Sequence, residues 1–233
     1  MKKIEIIPAI LEKNFKKVEK KINEVERLVK IVQVDICDGK FVPSKTIISA
    51  GCHKSFLKLK KLSEKKVKLE IDMMVDLDVK ISGRFDKWLE GLEILEPKRI
   101  IFHINSTKKW DEIFEFLRKS KKLKKTEIGL AAQIQHKCQK DIISLLDKYP
   151  FKFVQFMGIE KIGYGGQELT QKVFRKIKKL RKLNEKIPIS VDGGVKIFNG
   201  KKLKESGVTR LVSGSGLYGA ENLKGIIKEF KNL

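Results

Sequence analysis

Short apolar runs rich in Val and Ile recur along the chain at residues 4–10, 31–38, 67–75, 99–104, 127–134, 152–159, 188–192 and 210–215. Between them the apolar positions change to helical spacing. Phe15, Val18, Ile22, Val25 and Leu28 follow the first run, and Val173, Ile177, Leu180 and Leu183 follow the sixth, with Lys and Glu on the other faces. Strand and helix patterns therefore alternate, and eight repeats in 233 residues give about 29 residues each, the size of a βα unit. Such alternation predicts an α/β protein with a parallel sheet, and eight units predict a (β/α)8 TIM barrel. A doubly wound open sheet is the alternative, because alternation alone does not show closure. Pro97, Pro150 and Pro188 fall beside strand starts and Pro43 in the loop after strand two, where a missing N–H costs nothing. With no linker or composition break, residues 1–233 are read as a single domain.

Strand register separates two faces. In strand two Val32, Val34 and Ile36 oppose Gln33, Asp35 and Cys37; in strand three Ile71, Met73 and Val75 oppose Glu70, Asp72 and Met74. Strand seven sets Ile189 and Val191 against Ser190 and Asp192. The apolar faces should meet the helices, and the polar faces should point to the axis, which opens at the C-terminal strand ends. Asp35, Asp72 and Asp192 would then converge in a partly dry mouth and repel one another unless a cation or a shared proton relieves them. Binding of water or pairing with lysines is the simpler alternative for each.

Glycines form a second group: Gly163, Gly165 and Gly166 around Tyr164, between strand six and a helix expected near Glu168; Gly193 and Gly194 after strand seven; Gly214, Ser215 and Gly216 after strand eight. Glycines let backbone N–H groups approach an oxyanion, and the last loops of a barrel form a recurrent phosphate site. Ordinary βα turns also use glycine.

Composition narrows the function classes. Lys and Arg number 52 against 29 Asp and Glu, a net charge of +23, and 45 of the cations are Lys spread along the whole chain. The 41% hydrophobic content excludes disorder and collagen. Cys37, Cys52 and Cys138 fit neither a disulfide framework nor a zinc spacing, which suits a reducing cytoplasm. No apolar run reaches the length of a membrane span, and Glu5 and Pro8 interrupt the first segment, unlike a signal peptide. A cytoplasmic protein without membrane contact is expected. The basic runs 58–68, 118–125 and 172–182 read as solvated helix faces rather than a nucleic-acid track. Lys172, Lys176, Lys178 and Lys179 lie off the apolar stripe, and no interleaved aromatics offer a stacking platform. His53 and His136 are expected at the surface. His103, ending strand four, is expected to be a hydrogen-bonded structural residue, with pocket lining as the alternative.

Several segments in order resemble the ribulose-phosphate 3-epimerase family: Pro8-Ala9-Ile10-Leu11, Val34-Asp35-Ile36-Cys37-Asp38-Gly39-Lys40-Phe41-Val42-Pro43, Asp72-Met73-Met74-Val75, Phe102-His103, Gly163-Tyr164-Gly165-Gly166-Gln167 and Val191-Asp192-Gly193-Gly194. The resemblance covers essentially the whole chain. It implies a metal-dependent epimerase that inverts C3 of a ketopentose phosphate, D-ribulose 5-phosphate to D-xylulose 5-phosphate, in carbohydrate metabolism. Asp35 and Asp192 would exchange protons with opposite faces of the substrate while a divalent cation steadies the enediolate oxygens. Met74, Met157 and Cys37 fall where the family places apolar side chains around the reacting carbon, although plain core is an equal reading. Asp72, Ala9, Tyr164 and the three glycine loops would complete the substrate site. The partner implied is a small sugar phosphate, and a homo-oligomer is compatible.

Three departures mark this chain. Gln33 and Asp72 replace the two histidines of the family's metal site, and Ala9 replaces a serine that contacts substrate. The resulting set Gln33, Asp35, Asp72 and Asp192 offers oxygen donors, which favours Mn²⁺ or Mg²⁺ over Zn²⁺ or Fe²⁺. A catalytically silent or divergent phosphosugar-binding barrel is the alternative function. One extra residue between Met157 and Gly163, in a stretch without the family's proline, would reshape the loop over the phosphate.

Overall fold

A computed structural model of the chain describes residues 3–78, 84–135 and 139–233; His136 and Cys138 lie outside the described residues. The strands are β1 (Glu5–Ile10), β2 (Ile31–Cys37), β3 (Lys68–Met74), β4 (Arg99–His103), β5 (Glu127–Ala132), β6 (Phe153–Met157), β7 (Ile189–Asp192) and β8 (Arg210–Ser213). The helices are α1 (Phe15–Val25), α2 (His53–Ser63), α3 (Arg84–Leu95), α4 (Trp110–Lys119), α5 (Gln139–Lys148), α6 (Lys172–Leu183), α7 (Ile197–Glu205), α8 (Ser215–Tyr218) and α9 (Leu223–Lys231). The strands run in order from β1 to β8 and close into a barrel, the (β/α)8 architecture, which sets the open-sheet alternative aside. By compactness the chain divides into residues 10–127 and residues 1–9 with 128–233.

In the unit of residues 10–127, β2 is buried at all seven positions, as expected of a parallel strand covered on both faces. Its register against β3 pairs Gln33 with Glu70, Asp35 with Asp72 and Cys37 with Met74. Helix α1 buries Val18, Ile22 and Val25, while Phe15 and Leu28 at the ends of the stripe are half-buried. Asn14 caps it, its Oδ1 accepting from the N–H groups of Lys16 at 2.8 Å and Lys17 at 3.3 Å. Toward the N-terminal strand ends, Arg99 Nη1 lies 3.2 Å from Glu70 Oε2 and its Nε 3.1 Å from Glu127 Oε2, and Lys98 Nζ reaches Glu127 Oε1 at 2.7 Å. Although partial burial opposes the charge on Glu127, hydrogen bonds from Lys98 and Arg99 and their positive charges hold its carboxyl below the usual range. His53 lies at the surface, as read, with Nε2 3.4 Å from Glu90 Oε2.

In the other unit, β6 and β7 pair Gln155 with Ser190 and Met157 with Asp192, and β1 pairs with β8 through Pro8 and Ser213. Helix α6 buries Val173, Ile177 and Leu180, whereas Leu183, the last residue of the stripe, is 60% exposed at the helix end. The helix begins at Lys172, not near Glu168. The Thr170 N–H donates to the Gly158 carbonyl at 2.8 Å, so the backbone before it is spent on the neighbouring loop and cannot enter the helix. Among the described residues, no helix is long and apolar enough to cross a membrane.

Replacing Arg99 with Met removes the cation facing the fully buried Glu70. The variant is expected to lose about 3–5 kcal/mol in urea denaturation at neutral pH. A loss below about 1 kcal/mol would show that Glu70 does not depend on this pair.

Candidate active site

Asp35 and Asp72 are register partners near the C-terminal ends of β2 and β3, so their side chains leave the same face of adjacent strands. Asp35 Oδ1 accepts from Gln33 Nε2 at 2.8 Å, a bond between side chains two residues apart on one face. Asp72 Oδ1 pairs with His103 Nε2 at 2.8 Å across β3 and β4, and both residues are buried. His103 is thus the hydrogen-bonded residue expected, with a partner the sequence did not indicate. Asp72 Oδ2 and His103 Nδ1 are buried with no hydrogen-bond partner among the described residues.

The loop after β2 is shaped by Asp38. Its Oδ1 accepts from the N–H groups of Lys40 at 2.8 Å and Phe41 at 3.0 Å, and its Oδ2 from that of Asp76 at 3.1 Å, tying this loop to the end of β3. The turn brings the Phe41 ring to 5.3 Å from the His103 imidazole, tilted by 60°. Cys37 and Met74 are buried beside each other at the strand ends. Burial first, then the charges of Asp35, Asp72 and Asp38, push the Cys37 thiol well above its ordinary range. It is a buried, weakly polar wall at the strand ends.

In the second unit Asp192 ends β7 beside the buried Met157, and its Oδ2 accepts from Gln155 Nε2 at 3.4 Å, the long end of a hydrogen bond. The glycine loops follow β6, β7 and β8 as expected. Gly193 and Gly194 take φ of +96° and +70°. A Cβ on Gly194 would sit 2.3 Å from the Leu169 backbone nitrogen, so this glycine permits close backbone packing. Gly158, whose N–H donates to the Asp192 carbonyl at 2.6 Å, likewise has no room for a Cβ against the Gly193 carbonyl. Gly165 and Gly166 differ: their Cβ positions meet nothing within 4 Å, and Tyr164 beside them is exposed. That loop is held by Gln167, whose Nε2 donates to the carbonyls of Lys161 at 2.6 Å and Tyr164 at 3.2 Å, while its Oε1 accepts from the Lys161 N–H at 3.2 Å. Asn199 holds the next loop, its Nδ2 donating to the Gly194 carbonyl at 2.9 Å. Gly214, just before Ser215 at the head of α8, approaches Ala9, whose methyl group offers no hydroxyl there.

One carboxylate oxygen of Asp35 lies within 4.8 Å of one of Asp72, and both residues are buried; Asp192 is likewise buried, at the end of β7 in the other unit. At that spacing two unit charges repel by about 3.5 kcal/mol at an effective dielectric near 20. A cation or a shared proton would relieve that repulsion. With carboxylates as donors the residues fit a hard divalent ion, and Asp72 Oδ2 is buried with no hydrogen-bond partner among the described residues.

A model of the ribulose-phosphate 3 epimerase family matches residues 5–218. The ribulose-phosphate 3-epimerase of Helicobacter pylori J99 is 25% identical over 237 residues, covering 99% of this chain and 98% of that protein. The cytoplasmic isoform of ribulose-phosphate 3-epimerase from Oryza sativa is 26% identical over 220 residues, covering 92% and 87%. Among solved structures, KGPDC from Streptococcus mutans has a TM-score of 0.67 at 14% identity, over 99% of this chain and 97% of that one, a likeness of fold.

The two kinds of glycine should separate in denaturation. Gly194→Ala is expected to cost about 2–4 kcal/mol through backbone overlap and positive φ, and Gly165→Ala to stay within about 0.5 kcal/mol of wild type. Equal losses would contradict the division between packing glycines and open ones.

Proposed function

The chain belongs to the ribulose-phosphate 3-epimerase family and is thereby an isomerase of the epimerase type, and on that premise we propose that it interconverts D-ribulose 5-phosphate and D-xylulose 5-phosphate at C3. The observation that carries the reading is the buried pair Asp35 and Asp72 at the ends of β2 and β3, with Asp192 buried at the end of β7. Asp35 takes the C3 proton from one face as general base, and Asp192 returns a proton to the other; in the reverse direction the roles exchange. Each is steadied by a glutamine amide, Gln33 or Gln155, which orients the carboxylate.

A divalent cation held by Asp35, Asp72 and Asp192 would draw negative charge from the enediolate oxygens. Gln33 would join this set through Oε1, since its Nε2 is bonded to Asp35. Oxygen donors in place of imidazoles favour Mn²⁺ or Mg²⁺ over Zn²⁺ or Fe²⁺. Backbone N–H groups at Gly163, Tyr164, Gly165 and Gly166, at Gly193 and Gly194, and at Gly214 and Ser215 would receive the phosphate, and Met74, Met157, Cys37 and Ala9 would line the sugar. The net charge of +23 favours encounter with an anionic substrate. The free thiols Cys37 and Cys52 are compatible with a reducing cytoplasm.

The replacement of both family histidines and of the serine at Ala9 favours a second reading, a phosphosugar-binding barrel without turnover. Exchange in D₂O separates the two. Ribulose 5-phosphate incubated with protein and Mn²⁺ or Mg²⁺ should gain deuterium at C3, and Asp35→Asn and Asp192→Asn should each slow the exchange by about 10²–10⁴-fold. Absence of deuterium at C3 with every divalent metal tested would reject the epimerase reading and leave the binding one.

A further inference from the structure

Asp72 stands where the family resemblance would place a metal-binding imidazole, yet an imidazole is present on the next strand. His103 and Asp72 are 31 residues apart in sequence and meet at 2.8 Å between Nε2 and Oδ1. We propose that His103 is a positioning residue that holds Asp72 in one orientation and presents its Oδ2 to a divalent cation. This rests on the metal reading given above and adds a residue to it.

The geometry is specific at each step. A carboxylate accepts and does not donate, so Nε2 carries the hydrogen and the bond is charge-assisted. His103 is 1% exposed and Asp72 fully buried, so water does not compete for the bond. A lone Asp could turn about its last torsion and offer either oxygen or both; with Oδ1 engaged, Oδ2 is the one left, and it has no partner among the described residues. The imidazole is itself fixed. The Ser106 N–H and Oγ both donate to the His103 carbonyl, at 2.9 and 2.7 Å, which anchors its backbone at the end of β4. Phe41, placed by the Asp38 turn, covers the ring from the other loop. The two parts of an imidazole–metal interaction are thereby exchanged: here the carboxylate would touch the ion, and the imidazole would orient the carboxylate.

Binding of Mn²⁺ alone, followed by electron paramagnetic resonance of the free ion, tests this without turnover. Wild type should bind Mn²⁺ in a saturable manner. His103→Met, which removes the donor, should weaken the affinity by about 10–100-fold, and His103→Gln, whose amide can donate to Oδ1, should remain within about threefold of wild type. Circular dichroism establishes that each variant is folded; should His103→Met not fold, His103→Asn, too short to reach Oδ1, replaces it in the comparison. Wild-type affinity in the variant lacking the donor would overturn the positioning role while leaving the metal reading intact. Equal weakening in the Gln and Met variants would overturn the hydrogen-bond account. Failure of wild type to bind Mn²⁺ would overturn the metal reading itself and the proposal with it.

Discussion

A polar side chain pointing into a closed eight-stranded sheet is largely screened from bulk water, so it finds its partners on its own strand or the next one. That constraint organises the interior. At the level of Gln33, Glu70 and Arg99, opposite charges meet, and Arg99 bridges Glu70 to Glu127. Two residues further along the strands, at Asp35 and Asp72, the donors are Gln33 and His103 rather than Arg or Lys. The interior thus matches charge at one level and leaves negative charge concentrated at the next.

The contrast separates supporting chemistry from reactive chemistry. Glu70 is held by a guanidinium, which cancels its charge. Asp35, Asp72 and Asp192 each accept an N–H bond from a neighbouring side chain, which fixes the direction of the carboxylate.

The strands were legible because a parallel strand covered on both faces is a short β-branched run, and each predicted strand overlaps an observed one with ends differing by at most two residues. The overshoots have local causes: β6 ends at Met157 because the Gly158 carbonyl leaves the ladder to accept from the Thr170 N–H, and β8 ends at Ser213 because Ser215 opens α8. The start of α6 was not legible, since Glu168 and Leu169 are ordinary helix formers and only the contact with Gly158 and Gly194 keeps them out of the helix. In the candidate site, period-two alternation was enough to align Asp35 with Gln33. The bond between His103 and Asp72 required the register of β3 against β4, which no spacing within one strand encodes. Gln167 entered only within the family motif and Asn199 not at all, because their partners are backbone groups, for which sequence carries no mark.

The amide of Gln167 has a consequence for timing. By binding the carbonyls of Lys161 and Tyr164 and the N–H of Lys161, it settles the shape of residues 161–167 during folding, before any anion arrives. On the proposed reading, a loop already in its receiving form would have little configurational entropy left to surrender on association, so more of the attraction between backbone dipoles and a phosphate would survive as affinity.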